Sequence, residues 1–287
     1  MSKKNKIIAL VLATVVIISA LAVVVYNEFY KVKPITVKET VSLTLGEDKD
    51  VSDINLVAHR GLSGIAPENT MAAIKAACDT GYYGVEFDIH LTSEGEWVVS
   101  HDDNLRRMAG VNKKICEMTL KEIQSIELNN GANIEKYDGL TVPTLREVLD
   151  CVSKTDIVPV IEIKTTTENK IDTLVAMLKE YDYLESARII SFNQAPLKEY
   201  KRICSRTPMS LLVEEINDEN ISFCIENDID AISFNHKKAD KDLVQKIIDA
   251  QLTPQTWTVD SLESLSEFVS YGVKTFTTNC ITPQESK

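Results

Sequence analysis

Positive charge is scarce in this chain. Its 287 residues hold 31 Lys and Arg against 43 Asp and Glu, a formal net charge of −12. Five lysines and one glutamate fall within the first 33 residues, which leaves the remainder at −16. Proteins that bind nucleic acid neutralise phosphates with Lys and Arg, so an acidic domain of this kind is a poor nucleic-acid binder. Any phosphate it handles must meet local cations, and a metal ion is the obvious supplement. No two of the six cysteines stand in a Cys-x-x-Cys pair, and a domain of this size has enough core without staples. Most of the cysteines read as small buried hydrophobes. Internal repeats and low-complexity tracts are also missing. Disorder is excluded for the bulk of the chain, since 44% of residues are hydrophobic and 26% charged.

What the chain does have is one long apolar run. Lys3, Lys4 and Lys6 precede an uncharged stretch at 7–26, about the ~20 residues that a helix needs to span a hydrocarbon core. A cleavable signal peptide competes with this reading, because Ala20-Leu21-Ala22 offers a small-x-small site. Val23, Val24 and Val25 carry the apolar run past that site, which favours a retained anchor. The expected layout is a cytoplasmic basic tail at 1–6, a transmembrane helix or signal anchor at 7–26, a polar stalk or lead-in at 27–53 and a globular domain at 54–287. The lysines stay inside under the positive-inside rule. The expected location is therefore the cell membrane, single-pass, with the domain outside, or secretion after signal cleavage.

From residue 54 onward, short apolar runs alternate with amphipathic segments, the signal of βα units and a parallel sheet. Strands are expected at 56–59, 84–89, 158–163, 187–191, 209–213, 231–234, 253–259 and 274–278. Helices fit between most of them, at 69–78, 145–153, 171–179, 195–205, 217–226, 240–250 and 261–270, with Asn69 as the candidate cap of the first. Eight such strands predict an α/β fold, a TIM-type (β/α)8 barrel. Only Thr92-Ser93-Glu94-Gly95 separates 84–91 from 96–100, too few residues for a parallel crossover, so the two form an antiparallel hairpin. Pairing Thr92 with Trp97 puts Asp88 opposite His101. The stretch 102–142 is longer than a usual loop and reads as a small insertion after the second strand, with a short helix at 118–126.

Active sites of such barrels lie at the C-terminal ends of the strands. There the sequence places His59 and Arg60 after the first strand, Glu86 and Asp88 on the second, His101 on the hairpin, Glu162 and Lys164 at the third and Trp257 on the seventh. Residues two apart on a strand share a face, so Glu86 and Asp88 point the same way, and Glu162 has the equivalent place beside them. Three carboxylates in one cleft repel unless a cation binds or some take up protons. All-oxygen ligands suit a hard ion, Ca²⁺ or Mg²⁺. His59 and His101, two of only four histidines, are the candidate general acid and base. Arg60 and Lys164 are candidate phosphate contacts. Trp257 either fills the barrel or touches substrate. His236, in the polar Asn235-His236-Lys237-Lys238 loop, reads as a surface residue.

In order, Ala58-His59-Arg60-Gly61, Ala66-Pro67-Glu68-Asn69-Thr70, Gly84-Val85-Glu86-Phe87-Asp88, His101-Asp102, Pro143-Thr144-Leu145, Glu162-Ile163-Lys164, Ser191-Phe192 and Trp257-Thr258-Val259 resemble the glycerophosphodiester phosphodiesterase family. The likeness runs over about 55–283. It implies Glu86, Asp88 and Glu162 as metal ligands, His59 and His101 as catalytic acid and base, and Arg60 and Lys164 near the phosphate. It also implies cleavage of a glycerophosphodiester to an alcohol and glycerol 3-phosphate with a divalent cation, and the expected outward tethering suggests deacylated phospholipid headgroups or glycerol phosphate polymers of the cell envelope as substrates. Two departures, Asn279 in Thr278-Asn279 where many members read Thr-Asp, and Arg146 in place of a common acidic residue, fall outside the implied catalytic set. Rival readings are a related barrel lipase of the phospholipase D or cyclising type, and a non-catalytic membrane-tethered binding module. A metal-dependent nuclease is disfavoured by the −16 charge. Oligomeric state is not encoded in any of these motifs.

Overall fold

The structure, a computed structural model, describes residues 34–44, 53–164 and 170–284. The predicted membrane helix at 7–26 lies outside them. Among the described residues, no helix is long and apolar enough to cross a membrane.

Eight parallel strands close into a barrel: Asn55–Ala58, Gly84–Leu91, Val158–Ile163, Arg188–Ser191, Met209–Val213, Ala231–Asn235, Thr253–Trp257 and Thr275–Thr278. Each pairs with the next, and the first pairs with both the second and the eighth. This is the predicted TIM-type barrel. Seven helices of eight or more residues alternate with the strands among the described residues, from Met71–Thr80 to Leu262–Ser270.

The period-2 alternation of a strand sorts the second strand into two uses. Val85, Phe87 and Ile89 point outward and are fully buried against the helices. Glu86 and Asp88 therefore point into the barrel. On the inside, Val57, Val160, Ile190 and Leu212 form a separate apolar cluster with Trp257 packed on it. Helix Leu145–Val152 shows why the outer layer holds. Thr144 and Glu147 form a reciprocal capping box, and Leu145, Val148, Leu149 and Val152 make one buried stripe. Burying each such side chain contributes roughly 1.5–3 kcal/mol.

Two local expectations fail for identifiable reasons. Asn69 does not cap the first helix; Thr70 does, its hydroxyl accepting from Ala73 N. Asn69 instead has φ 54° and is buried, with its side chain turned to the second strand. The hairpin is also shifted by one residue, pairing Ile89 with Val99, His90 with Val98 and Leu91 with Trp97. Thr92 belongs to the turn, where its carbonyl accepts from Gly95 N and its hydroxyl from Glu96 N. A one-residue slip exchanges faces. Trp97 and Val99 thus join the main core, while Val98 turns to the insertion. Ser100, not His101, lies beside Asp88, its N–H donating to the Asp88 carbonyl at 2.9 Å.

The insertion has a core of its own. Leu105, Met108, Ile115, Met118, Ile123, Leu128 and Val142 pack with Val98. Its predicted helix is shorter than expected, Leu120–Gln124, and starts at a Thr119–Glu122 capping box. The described part of the lead-in lies along the same body. Ile35 packs on the insertion core, and Val41–Ser42 pairs in parallel with Ile281–Thr282. All six cysteines are free; Cys204, Cys224 and Cys280 are buried, while Cys78 and Cys151 are half-buried and Cys116 is exposed.

Candidate active site

A cavity of about 230 Å³ opens at the C-terminal ends of the strands and is lined by His59, Arg60, Glu86, His101, Glu162, Lys164 and Trp257, among others. Seven of the eight residues singled out from sequence meet here. The eighth, Asp88, is 1% exposed and stands in register beside Glu162.

Glu86, Asp88 and Glu162 each bring an oxygen within 4.8 Å of the others'. They are 2%, 1% and 8% exposed. Burial and the Asp88 and Glu162 charges push Glu86 well above the ordinary carboxylate range. Burial and Asp88 push Glu162 up to about 8. Asp88 goes the other way: against the cost of burial, Arg60, Lys164 and His101 hold it down at about 2. Protons on two of three carboxylates are what such a site needs when no cation is bound. Asp88 Oδ1 makes no hydrogen bond, although Lys164 Nζ stands 3.4 Å away. A buried, unsatisfied carboxylate oxygen amid two others fits a hard divalent cation held by Glu86, Asp88 and Glu162.

The backbone around Arg60 explains how the first strand joins this group. Arg60 and Gly61 both have positive φ, 55° and 74°. That turn lets Arg60 N donate to Glu86 Oε2 at 2.7 Å. It also brings Gly61 against the first helix, where a Cβ would sit 2.5 Å from the Ala73 carbonyl carbon. Only glycine fits both demands. The Arg60 guanidinium reaches Glu68 at 2.8 Å and lies 3.6 Å from Asp88, yet its Nε is buried with no hydrogen-bond acceptor. Arg60 and Lys164, whose ammonium stands 2.9 Å from Glu162, both line the cavity and bring positive charge to it.

The two histidines have different partners. His59 Nδ1 donates to Asn279 Oδ1 at 2.8 Å. Burial and the adjacent Arg60 lower it to about 4, so it is neutral at physiological pH. His101 Nδ1 instead meets the Asp102 carboxylate at 2.7 Å. Against the cost of burial, hydrogen bonds from His101 and Arg107 hold Asp102 well below the ordinary range. On the far wall, Trp257 Nε1 donates to the Ser233 carbonyl, and the ring meets Phe192 edge-on at 5.5 Å. Trp257 is thus both packed on the barrel filling and exposed to the cavity.

Known proteins resemble this chain in sequence and fold. The sequence model of the glycerophosphoryl diester phosphodiesterase family matches residues 59–282. The chain belongs to this family. A glycerophosphodiester phosphodiesterase of Caldanaerobacter subterraneus is 31% identical over 226 residues, covering 76% of this chain and 90% of that protein. Among solved structures, a phosphodiesterase of Oleispira antarctica in complex with its product sn-glycerol-3-phosphate superposes with a TM-score of 0.73 at 25% identity, covering 78% of this chain and 92% of that one. A glycerophosphodiester phosphodiesterase of Parabacteroides distasonis gives 0.65 at 26% identity, covering 78% and 92%.

Several residues of this family member escaped the sequence reading. Asn69 Nδ2 donates to Asp88 Oδ2 at 2.7 Å, and Asn69 Oδ1 accepts from Asp88 N, so it aims a candidate ligand. Glu68 bridges Arg60 and Arg107. His90 Nε2 donates to the His101 carbonyl at 3.2 Å. Asn279, expected to lie outside the catalytic set, is bonded to His59. His236 is no plain surface residue either: its Nδ1 donates to the Trp257 carbonyl and its ring packs on Phe268.

Proposed function

We propose that this chain hydrolyses a glycerophosphodiester to an alcohol and glycerol 3-phosphate, using a divalent cation and a histidine base and acid. The observation that carries the reading is the clustering of three carboxylates, among them Asp88 with an unsatisfied oxygen, beside a cavity that Arg60, Lys164 and two histidines with different kinds of partner also line.

A cation on Glu86, Asp88 and Glu162, when bound, draws charge from a phosphoryl oxygen. Arg60 and Lys164 hold the other phosphate oxygens and offset the charge that grows on them in the transition state. Neutral His59, with its proton on Nδ1, takes the proton of the attacking hydroxyl on Nε2. That hydroxyl belongs to water or to the neighbouring glycerol hydroxyl, which would give a cyclic phosphate first. As the new P–O bond forms, the P–O bond to the alcohol breaks, and the leaving oxygen takes a proton from His101. Asp102 stabilises the imidazolium that donates it. Trp257 and Phe192 present an apolar wall to the carbon skeleton.

Chelation is the direct test of the metal reading. Activity should vanish with EDTA and return with Ca²⁺ or Mg²⁺; full activity after exhaustive chelation overturns it. Product analysis on glycerophosphodiesters and glycerol phosphate polymers distinguishes glycerol 3-phosphate from a cyclic product.

The same proposal keeps the barrel outside the membrane on an anchor at 7–26, with Lys3, Lys4 and Lys6 inside. Support comes from the length of the apolar run and the basic residues before it. Protease added to intact cells should digest the barrel. Protection until lysis refutes this topology, and a mature N-terminus at Val23 favours secretion.

A further inference from the structure

The amide of Asn279 sits between a histidine and a carboxylate, and its orientation decides which ring nitrogen of His59 is free. An Asn side chain offers oxygen at one end and NH₂ at the other. With the oxygen toward His59, the ring must carry its proton on Nδ1 and leave Nε2 as the acceptor. With the amide reversed, the NH₂ would donate to Nδ1 and force the proton onto Nε2, which then could not act as a base.

Two neighbours hold the first orientation. Asp260 Oδ2 accepts from Asn279 Nδ2 at 2.8 Å, and Oδ1 accepts from the Asn279 backbone N at 2.7 Å. Reversal would set amide oxygen against an ionised carboxylate, which has no proton to give. On the other side, Ser63 Oγ donates to the same Asn279 Oδ1 at 2.9 Å. Asp260 is itself fixed. Thr278 Oγ1 donates to it at 3.2 Å, and Lys38, from the lead-in, forms an ion pair with it. The backbone is pinned as well. Asn279 O accepts from Gly64 N, and a Cβ at Gly64 would lie 2.4 Å from that oxygen.

We propose that Asn279 is a positioning residue for His59, and that Asp260, braced by Lys38, locks its amide so that Nε2 of His59 is always the free nitrogen. This rests on His59 being the general base. The chain from Lys38 to His59 crosses from the lead-in through the seventh and eighth strand ends to the first. It makes the lead-in part of the base's support.

The test uses the full-length chain with ¹⁵N-labelled histidine. Only four histidines contribute signals, and His59→Ala assigns the one of interest. At neutral pH His59 should be the Nδ1-protonated tautomer. Asn279→Leu, which removes the acceptor at similar size, should lower kcat by about tenfold or more with KM within about threefold. Asp260→Asn should populate the Nε2-protonated tautomer and lose less. The swapped double variant Asp260→Asn with Asn279→Asp restores an acceptor facing His59, and should regain the Nδ1-protonated tautomer and most of kcat. A purely structural Asn279 would leave the tautomer unchanged in Asp260→Asn. An Nε2-protonated His59 in the parent overturns the proposal, as does an Asn279→Leu enzyme within about threefold of parent kcat. If Asn279→Leu does not fold, the parent spectrum and Asp260→Asn decide. A fully active His59→Ala fails the base assignment itself. An inactive His59→Ala beside a fully active Asn279→Leu fails only this inference.

Discussion

The two sides of the cavity are built on different principles. His59 ends a barrel strand, is pushed down to about 4 by burial and Arg60, and answers to a neutral amide. His101 stands at the mouth of an insertion, with its side chain about a third exposed, and answers to a carboxylate that Arg107 also holds. One residue type thus stands in two settings: burial and Arg60 keep His59 neutral while an amide accepts from its Nδ1, and a carboxylate faces Nδ1 of His101. The lesson is that the role of a histidine is written in its burial and neighbouring charge as well as in what its far nitrogen touches.

The strongest test of this contrast is removal of each ring. His59→Ala and His101→Ala should each lose about 10²–10⁴-fold in kcat on a natural glycerophosphodiester. A nitrophenyl leaving group needs little protonation, so it should rescue His101→Ala and not His59→Ala. Equal rescue of both would erase the distinction. Next in size is Asp102→Asn. It should cost roughly tenfold on the natural substrate, since a general acid contributes at least that much, and much less on the nitrophenyl ester. A loss of the same size on both substrates would mean that Asp102 supports structure and not proton donation.

The pH dependence sharpens the other side. Because the folded pKa of His59 lies at about 4, below its ordinary 6.5, the folded state binds fewer protons there. Its contribution to stability is full above about 6.5 and is lost as pH falls toward 4. The acidic limb of kcat should therefore lie well below 6.5. A half-maximal rate near 6.5 in pH–rate measurements would contradict the assigned environment. The carboxylates carry the opposite sign. Glu86 is raised well above its ordinary value and Glu162 to about 8, so the cation-free fold loses stability as pH rises through that window. A cation must displace those protons to bind. Ca²⁺ or Mg²⁺ should then raise the melting temperature more at pH 8.5 than at pH 6; at a hundredfold excess over Kd the gain is about 2.7 kcal/mol. An equal gain at both pH values would count against these ligands. The smallest effect belongs to His236→Ala, expected within a few-fold of parent activity, since its contacts are with Phe268 and a carbonyl and not with the reacting groups.

Much of this was legible in the sequence because period and chemistry agree. All eight strands and the carboxylate trio follow from alternation, as in Val85, Phe87 and Ile89 set against Glu86 and Asp88. What stayed hidden depends on contacts between distant segments. Asn69 reads as a cap locally, and only the Arg60–Gly61 turn shows that it faces Asp88. Asn279 lies 220 residues from His59, and nothing in either neighbourhood announces the bond. The hairpin slipped by one because a turn absorbed Thr92, a choice made by hydroxyl and carbonyl hydrogen bonds that hydrophobic patterning does not record.

The separate core of the insertion has a consequence for motion. Proteins open locally in roughly contiguous cooperative units that often coincide with supersecondary motifs. Leu105, Met108, Ile115 and Ile123 belong to that core, and Arg107 and Asp102 hang from its edge while His59 hangs from the barrel wall. Amide hydrogens of the insertion should then exchange together, and faster than those of the first and eighth strands. The acid side and the base side of the site would then belong to different opening units.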